Sequence, residues 1–151
     1  MNLNIHSELP ERKDWRIGCV GSGFIMSDCH LVAYAKAGFN PVAIASRTQA
    51  NAATCAKAHN IGTVHSTIDQ LLDDESIEVL DLAVPPDNQL GIIKAACVRG
   101  TAKGILAQKP LGTNYAEAVE AVEACEAADI VLAVNQNMRY DQSVRAGKTL
   151  L

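Results

Sequence analysis

The chain has 151 residues, 48% hydrophobic and 20% charged, with a formal net charge of −4. That balance suits one well-cored globular domain and argues against a disordered chain. An acidic balance without a Lys/Arg cluster argues against nucleic acid and anionic membranes as partners, and aromatics at 4% leave little for stacking on single strands.

In chain order, residues 1–14 read as a flexible polar leader, with Glu11–Asp14 as a solvated charge run and no apolar core of a signal peptide. Arg16–Val20 predicts a first strand. Phe24–Ala37 predicts a helix closed by Gly38, and Val42–Ala45 a second strand opened by Pro41. Thr48 can cap a helix running to His59, and a short strand is expected around Thr63–His65. Ser66 can cap the helix Thr67–Asp73.

The apolar run Ile77–Val84 predicts a buried strand ended by Pro85-Pro86, and Asp87 can cap the helix Asn88–Val98, closed by Gly100. Lys103–Ala107 is the fifth strand. Asn114 and Glu117 are spaced as a capping box for Tyr115–Ala127, and Ile130–Val134 is the sixth strand. Strands alternating with helices imply an α/β fold, a doubly wound parallel sheet in three α/β/α layers: a Rossmann fold over residues 15–140.

Residues 141–151 begin a further helix whose Val144, Leu150 and Leu151 have nothing in the sequence to cover them. This reads as the start of a connection to a second, substrate-binding domain absent from the chain, against the plain alternative of a terminal helix packed on the sheet. Five scattered cysteines, none in a Cys-x-x-Cys pair, suit a reducing cytoplasm. The four histidines lack metal-ligand spacing, and no metal is expected.

In a doubly wound sheet the ligand crevice lies beyond the carboxyl ends of the strands. The first such end carries Gly21-Ser22-Gly23-Phe24-Ile25. Gly21 permits a tight turn, Gly23 lets the backbone approach a pyrophosphate, and the next helix opens with N–H groups that hold negative charge. Met26 stands where the fingerprint has a third glycine. After the second strand, Ser46-Arg47 occupies the place where an acidic residue accepts from a ribose 2′-hydroxyl. A hydroxyl and a guanidinium suit a 2′-phosphate instead, so NADP is favoured over NAD. A solvated strand-end arginine is the alternative.

Val84-Pro85-Pro86 is uncharged and shapes a cofactor wall. Gln108-Lys109-Pro110 follows the fifth strand, where the Lys109 ammonium can orient a substrate hydroxyl and steady charge developing on oxygen. A cis Lys109–Pro110 bond would aim that lysine, whereas a surface lysine in a turn is the alternative. The segment Asn135–Tyr140 gathers amide, guanidinium and phenol groups. Asn137 and Arg139 within it are candidates for gripping a polyhydroxylated or anionic substrate, or for capping the final helix.

These segments, in this order, resemble the Gfo/Idh/MocA oxidoreductases, the glucose–fructose oxidoreductase and inositol dehydrogenase family. The likeness runs from Trp15 onward and is carried by Gly21-Ser-Gly23-Phe-Ile, Val84-Pro-Pro86, Gln108-Lys109-Pro110 and Asn137-Met-Arg139-Tyr140. It implies a catalytic-site lysine at Lys109, with the glycine turn and Ser46-Arg47 on the cofactor. It further implies hydride transfer with a sugar, inositol or related polyol, and a second α/β domain that supplies the substrate floor, a histidine and often a homo-oligomer interface. Gln108 stands where the family has glutamate, which removes a charge that could pair with Lys109, and Gln89 stands where it often has histidine. Two other readings stay open: a non-catalytic nucleotide-sensing Rossmann module, supported by Met26 and Gln108, and a CoA- or acyl-binding one.

Overall fold

The protein, seen in a computed structural model, is described over residues 9–151, so residues 1–8 of the expected leader lie outside the described residues. Six strands form one parallel sheet in the order β3-β2-β1-β4-β5-β6. They are β1 (Ile17–Val20), β2 (Ala43–Ala45), β3 (Thr63–Val64), β4 (Val79–Leu82), β5 (Gly104–Gln108) and β6 (Val131–Asn135). The helices are α1 (Leu31–Ala37), α2 (Gln49–His59), α3 (Ile68–Leu72), α4 (Pro86–Arg99), α5 (Tyr115–Ala127) and α6 (Gln142–Leu150). This is the Rossmann arrangement, with the order reversing between β1 and β4.

Strand alternation divides the core between the two sheet faces. On one, Cys19, Ile44, Met26, Leu31, Ala52 and Cys55 pack under α1 and α2. On the other, Val20, Leu80, Leu82, Ile93, Ile105 and Cys125 pack with α3, α4 and α5. The long apolar run around β4 yields only four ladder residues, because each pairs with one of the four residues of β1 before Gly21 turns the chain away.

Several local expectations change in detail. The helix expected from Phe24 opens as a π-helical segment, Ile25–His30, before α1 continues it. Met26, in the place of the third glycine, is fully buried in the α1-side core. The chain thus seats a large side chain between the first turn and the sheet, where the fingerprint glycine would allow closer approach. The cap of α3 is Thr67 rather than Ser66: its hydroxyl accepts from Gln70 N–H at 3.1 Å, while the Gln70 carboxamide accepts from Ser66 N–H at 3.0 Å.

Pro85-Pro86 opens a helix as well as ending a strand, because Pro86 at the first helical position needs no N–H partner; Asp87 lies inside α4 and does not cap it. Thr48 precedes α2, but its side chain makes no capping hydrogen bond. Asn114 caps α5 as expected, accepting from Glu117 N–H at 3.1 Å, but the return bond of the capping box goes one residue further back: the Glu117 carboxylate accepts from Thr113 N–H at 2.7 Å rather than from Asn114 N–H. Nor is the Glu11–Asp14 run merely solvated. The Arg12 guanidinium lies 3.7 Å over the Trp15 ring and pairs with Glu78 at 2.8 Å, and Lys13 donates to the Ala37 carbonyl.

Candidate functional site

Five strand ends converge on one edge of the sheet. At β1, Gly21 has φ +104° and donates to the Ala45 carbonyl at 2.8 Å. A Cβ added there would stand 2.4 Å from the Ala83 carbonyl oxygen and 3.6 Å from Val84 Cγ1. No other residue fits, since that φ already disfavours side chains and the approach is below van der Waals contact. One glycine therefore brings the ends of β1, β2 and β4 together, with Ser46-Arg47 and Val84-Pro85-Pro86 directly beyond them.

Gly23 differs in kind. A Cβ added to it would meet nothing within 4 Å, so the space over the turn is open. Ser22 is half-buried, and Gly23, Phe24 and Ile25 are exposed around that space. The opening turn leaves its first N–H groups without intrahelical carbonyls. A bare backbone beside such donors, with a void where a Cβ would project, fits a dinucleotide pyrophosphate. Arg47 is exposed at the end of β2 and has no ion-pair partner among the described residues.

At β5, Gln108 closes the strand and Lys109 is exposed beyond it, joined to Pro110 by a cis bond. The fully buried Gln89 of α4 spans this turn. Its Oε1 accepts from Gln108 N–H at 2.7 Å, and its Nε2 donates to the Pro110 carbonyl at 2.7 Å. Both polar ends of the carboxamide are thus satisfied by the backbone on either side of Lys109. The turn also lies close on α5: a Cβ on Gly112 would stand 2.8 Å from Glu117 Cβ. Lys109 is the exposed middle of a segment fixed at both ends.

Beside this turn lies a polar network. Asp81, fully buried in β4, accepts from His30 Nδ1 at 2.8 and 3.0 Å and from the Tyr34 hydroxyl at 2.8 Å. His30 Nε2 lies 2.8 Å from Asn135 Nδ2 and 3.3 Å from Gln108 Nε2. Burial, together with the neighbouring Asp81 carboxylate, pushes the Tyr34 phenol far above its ordinary range. His30, Tyr34 and Asp81 are not among the site residues expected from sequence, and Gln89 stands out there only in place of the family's frequent histidine. Two signals were available: Asp81 interrupts an apolar strand, and His30 follows the buried Met26 by four residues on one helix face.

Asn137 and Arg139 occupy an exposed 3₁₀ turn, Asn137–Tyr140, after β6. Arg139 lines a hollow of about 430 Å³ whose other walls include Val144, Arg145 and Lys148 of α6. Neither residue hydrogen-bonds to the Lys109 turn among the described residues. Likewise among the described residues, no group of three or more metal-binding side chains is found, and no helix is long and apolar enough to cross a membrane.

The fold and this edge define a dinucleotide-binding Rossmann domain. The family model for Gfo/Idh/MocA, described as an oxidoreductase family with an NAD-binding Rossmann fold, matches residues 15–136. The chain belongs to that family.

A protein of Saccharomyces cerevisiae is 27% identical over 136 residues, which are 87% of this chain and 38% of its own length. The D-xylose 1-dehydrogenase (NADP(+)) 2 of Haloferax volcanii is 31% identical over 90 residues, 60% of this chain and 27% of that protein. The solved levoglucosan dehydrogenase, in complex with NADH and levoglucosan, superposes with a TM-score of 0.75 at 29% identity, over 83% of this chain and 36% of that one. The chain thus spans well under half the length of these relatives.

Proposed function

We propose that this chain is the cofactor-binding part of an NADP-preferring dehydrogenase acting on a sugar or related polyol. In this reading Lys109 positions and polarises the oxygen of the reacting carbon. The observation that carries it is the meeting, at one sheet edge, of an open glycine turn, an arginine at the end of β2 and an exposed lysine on a turn fixed by Gln89.

The Gly21–Ile25 turn receives the pyrophosphate, Ser46 and Arg47 the adenosine ribose with its 2′-phosphate, and Val84-Pro85-Pro86 walls the cofactor. When bound, the nicotinamide supplies the hydride acceptor or donor. The Lys109 ammonium donates a hydrogen bond to the substrate oxygen and so favours the charge that grows there during transfer. Asn137 and Arg139 grip further substrate hydroxyls, and the rest of the substrate pocket comes from sequence outside this chain, as the relatives' greater length suggests.

Competing titrations of NADPH, NADH and CoA against this chain test the cofactor assignment, read by nicotinamide fluorescence and thermal shift. NADPH is expected to bind most tightly. Arg47→Asp should cut the preference for NADPH by about 10- to 100-fold, as expected for loss of a charged hydrogen bond. A preference for NADH or CoA in the unaltered chain overturns the assignment. In the full-length protein, Lys109→Met should lower kcat by about 100-fold or more with little change in cofactor affinity. A sensing module would keep its ligand response in that variant.

A further inference from the structure

We propose that Asp81 and His30 are positioning residues for the Lys109 turn, acting by fixing which way the carboxamides of Gln108 and Asn135 face. The importance of this for catalysis rests on the reading of Lys109 given above; the geometry itself does not.

Neutral imidazole has one N–H donor and one acceptor nitrogen. His30 Nδ1 faces both oxygens of a fully buried carboxylate, which only accepts, so Nδ1 carries the proton. The Tyr34 hydroxyl donates to the same carboxylate, so both side chains that meet Asp81 act as donors toward it. Nε2 is therefore the acceptor, and it points toward the carboxyl ends of β5 and β6. Two amide nitrogens meet it there, Asn135 Nδ2 at 2.8 Å and Gln108 Nε2 at 3.3 Å.

With its nitrogen turned to His30, the Gln108 carboxamide presents Oε1 to the Lys109 N–H, which it accepts at 2.9 Å. Reversing the tautomer would set an Nε2–H against both amide nitrogens. Gln108 would then have to rotate, and the rotation would bring an NH2 group against Lys109 N–H. A carboxylate sealed inside the sheet thus sets the hydrogen bonding of the turn that carries Lys109, through one imidazole and one carboxamide. Gln89 holds the backbone of the same turn independently.

The test is ¹⁵N NMR on the 151-residue chain. Long-range ¹H–¹⁵N correlation reports the tautomer of His30, and hydrogen exchange reports the Lys109 amide. The unaltered protein is expected to show the Nδ1–H tautomer at neutral pH. Asp81→Asn, close to isosteric but able to donate, should mix the tautomers, shift the Asn135 and Gln108 side-chain amide resonances and speed Lys109 exchange about tenfold. Gln108→Leu, which cuts the chain below His30, should give the same faster exchange while leaving the Nδ1–H tautomer in place.

An Nε2–H or doubly protonated His30 in the unaltered protein overturns the proposal. So does an Asp81→Asn protein whose tautomer changes while the Lys109 and Asn135 signals stay put. Should Asp81→Asn fail to fold, unchanged Lys109 exchange in Gln108→Leu is equally fatal. None of these readouts uses turnover, so a failure of the catalytic reading of Lys109 would leave them standing and would show separately in the Lys109→Met kinetics.

Discussion

Two halves of one sheet face differ sharply. Over β1 and β4 the face is closed by the π-helical turn and α1: Cys19, Met26 and Asp81 are fully buried there and Leu31 nearly so. On the same face over β6, Val131 is 72% exposed, Ala133 is exposed, and α6 buries no residue. Both halves are built of equally apolar strands. Strand-forming character therefore does not decide cover, which depends on whether a helix returns across that stretch. The polar network of His30, Asn135 and Gln108 runs along the border between the halves.

The largest expected effect is in the closed half. Asp81→Ala would leave the His30 Nδ1–H and Tyr34 hydroxyl without their buried acceptor and should cost about 4 kcal/mol in denaturant unfolding. A cost near zero would break the comparison, because the half would not be closed to water. Met26→Ala should follow, at about 3 kcal/mol, through lost burial and a residual cavity between the π-turn and the sheet.

A pH series sharpens the same point. The Tyr34 phenol titrates far above its ordinary value of 10.0 when folded. Its folded pKa is raised, so its stability contribution is complete below pH 10 and is lost as the unfolded phenol ionises at higher pH. Stability should fall above pH 10 by about 1.4 kcal/mol per pH unit from this residue, and Tyr34→Phe should flatten the slope by that amount. The smallest effect belongs to the bare half. Val131→Ala should change stability by no more than about 0.5 kcal/mol in the 151-residue chain.

Much of the fold was legible residue by residue. Pattern and punctuation give six strands in their places: β-branched runs, Gly38 and Gly100 past helix ends, and the Asn114–Glu117 box. The errors cluster where two neighbouring residues could each do one job, such as Ser66 or Thr67 as a cap. They also fall where proline has two roles, ending one element and opening the next at Pro86. The strand ends of the site were legible as well, because a doubly wound order sends every one of them to the same edge.

His30, Asp81 and Gln89 were not legible as partners. Residues 51 apart meet in the first pair, and Gln89 reaches a turn 19 and 21 residues away. No local spacing encodes such contacts.

By itself, then, the sequence determined the alternation of elements, the parallel order it entails and the glycine turn, since each follows from local sterics and periodicity acting within a few residues. Only the tertiary structure decided that the Met26 side chain is buried between the π-helical turn and the sheet, that a buried carboxylate faces a histidine, and that Gln89 grips both sides of Lys109. Those outcomes depend on which distant surfaces the folded sheet presses together, and hydrogen-bond partners are assigned only once that packing has removed the water that would otherwise serve.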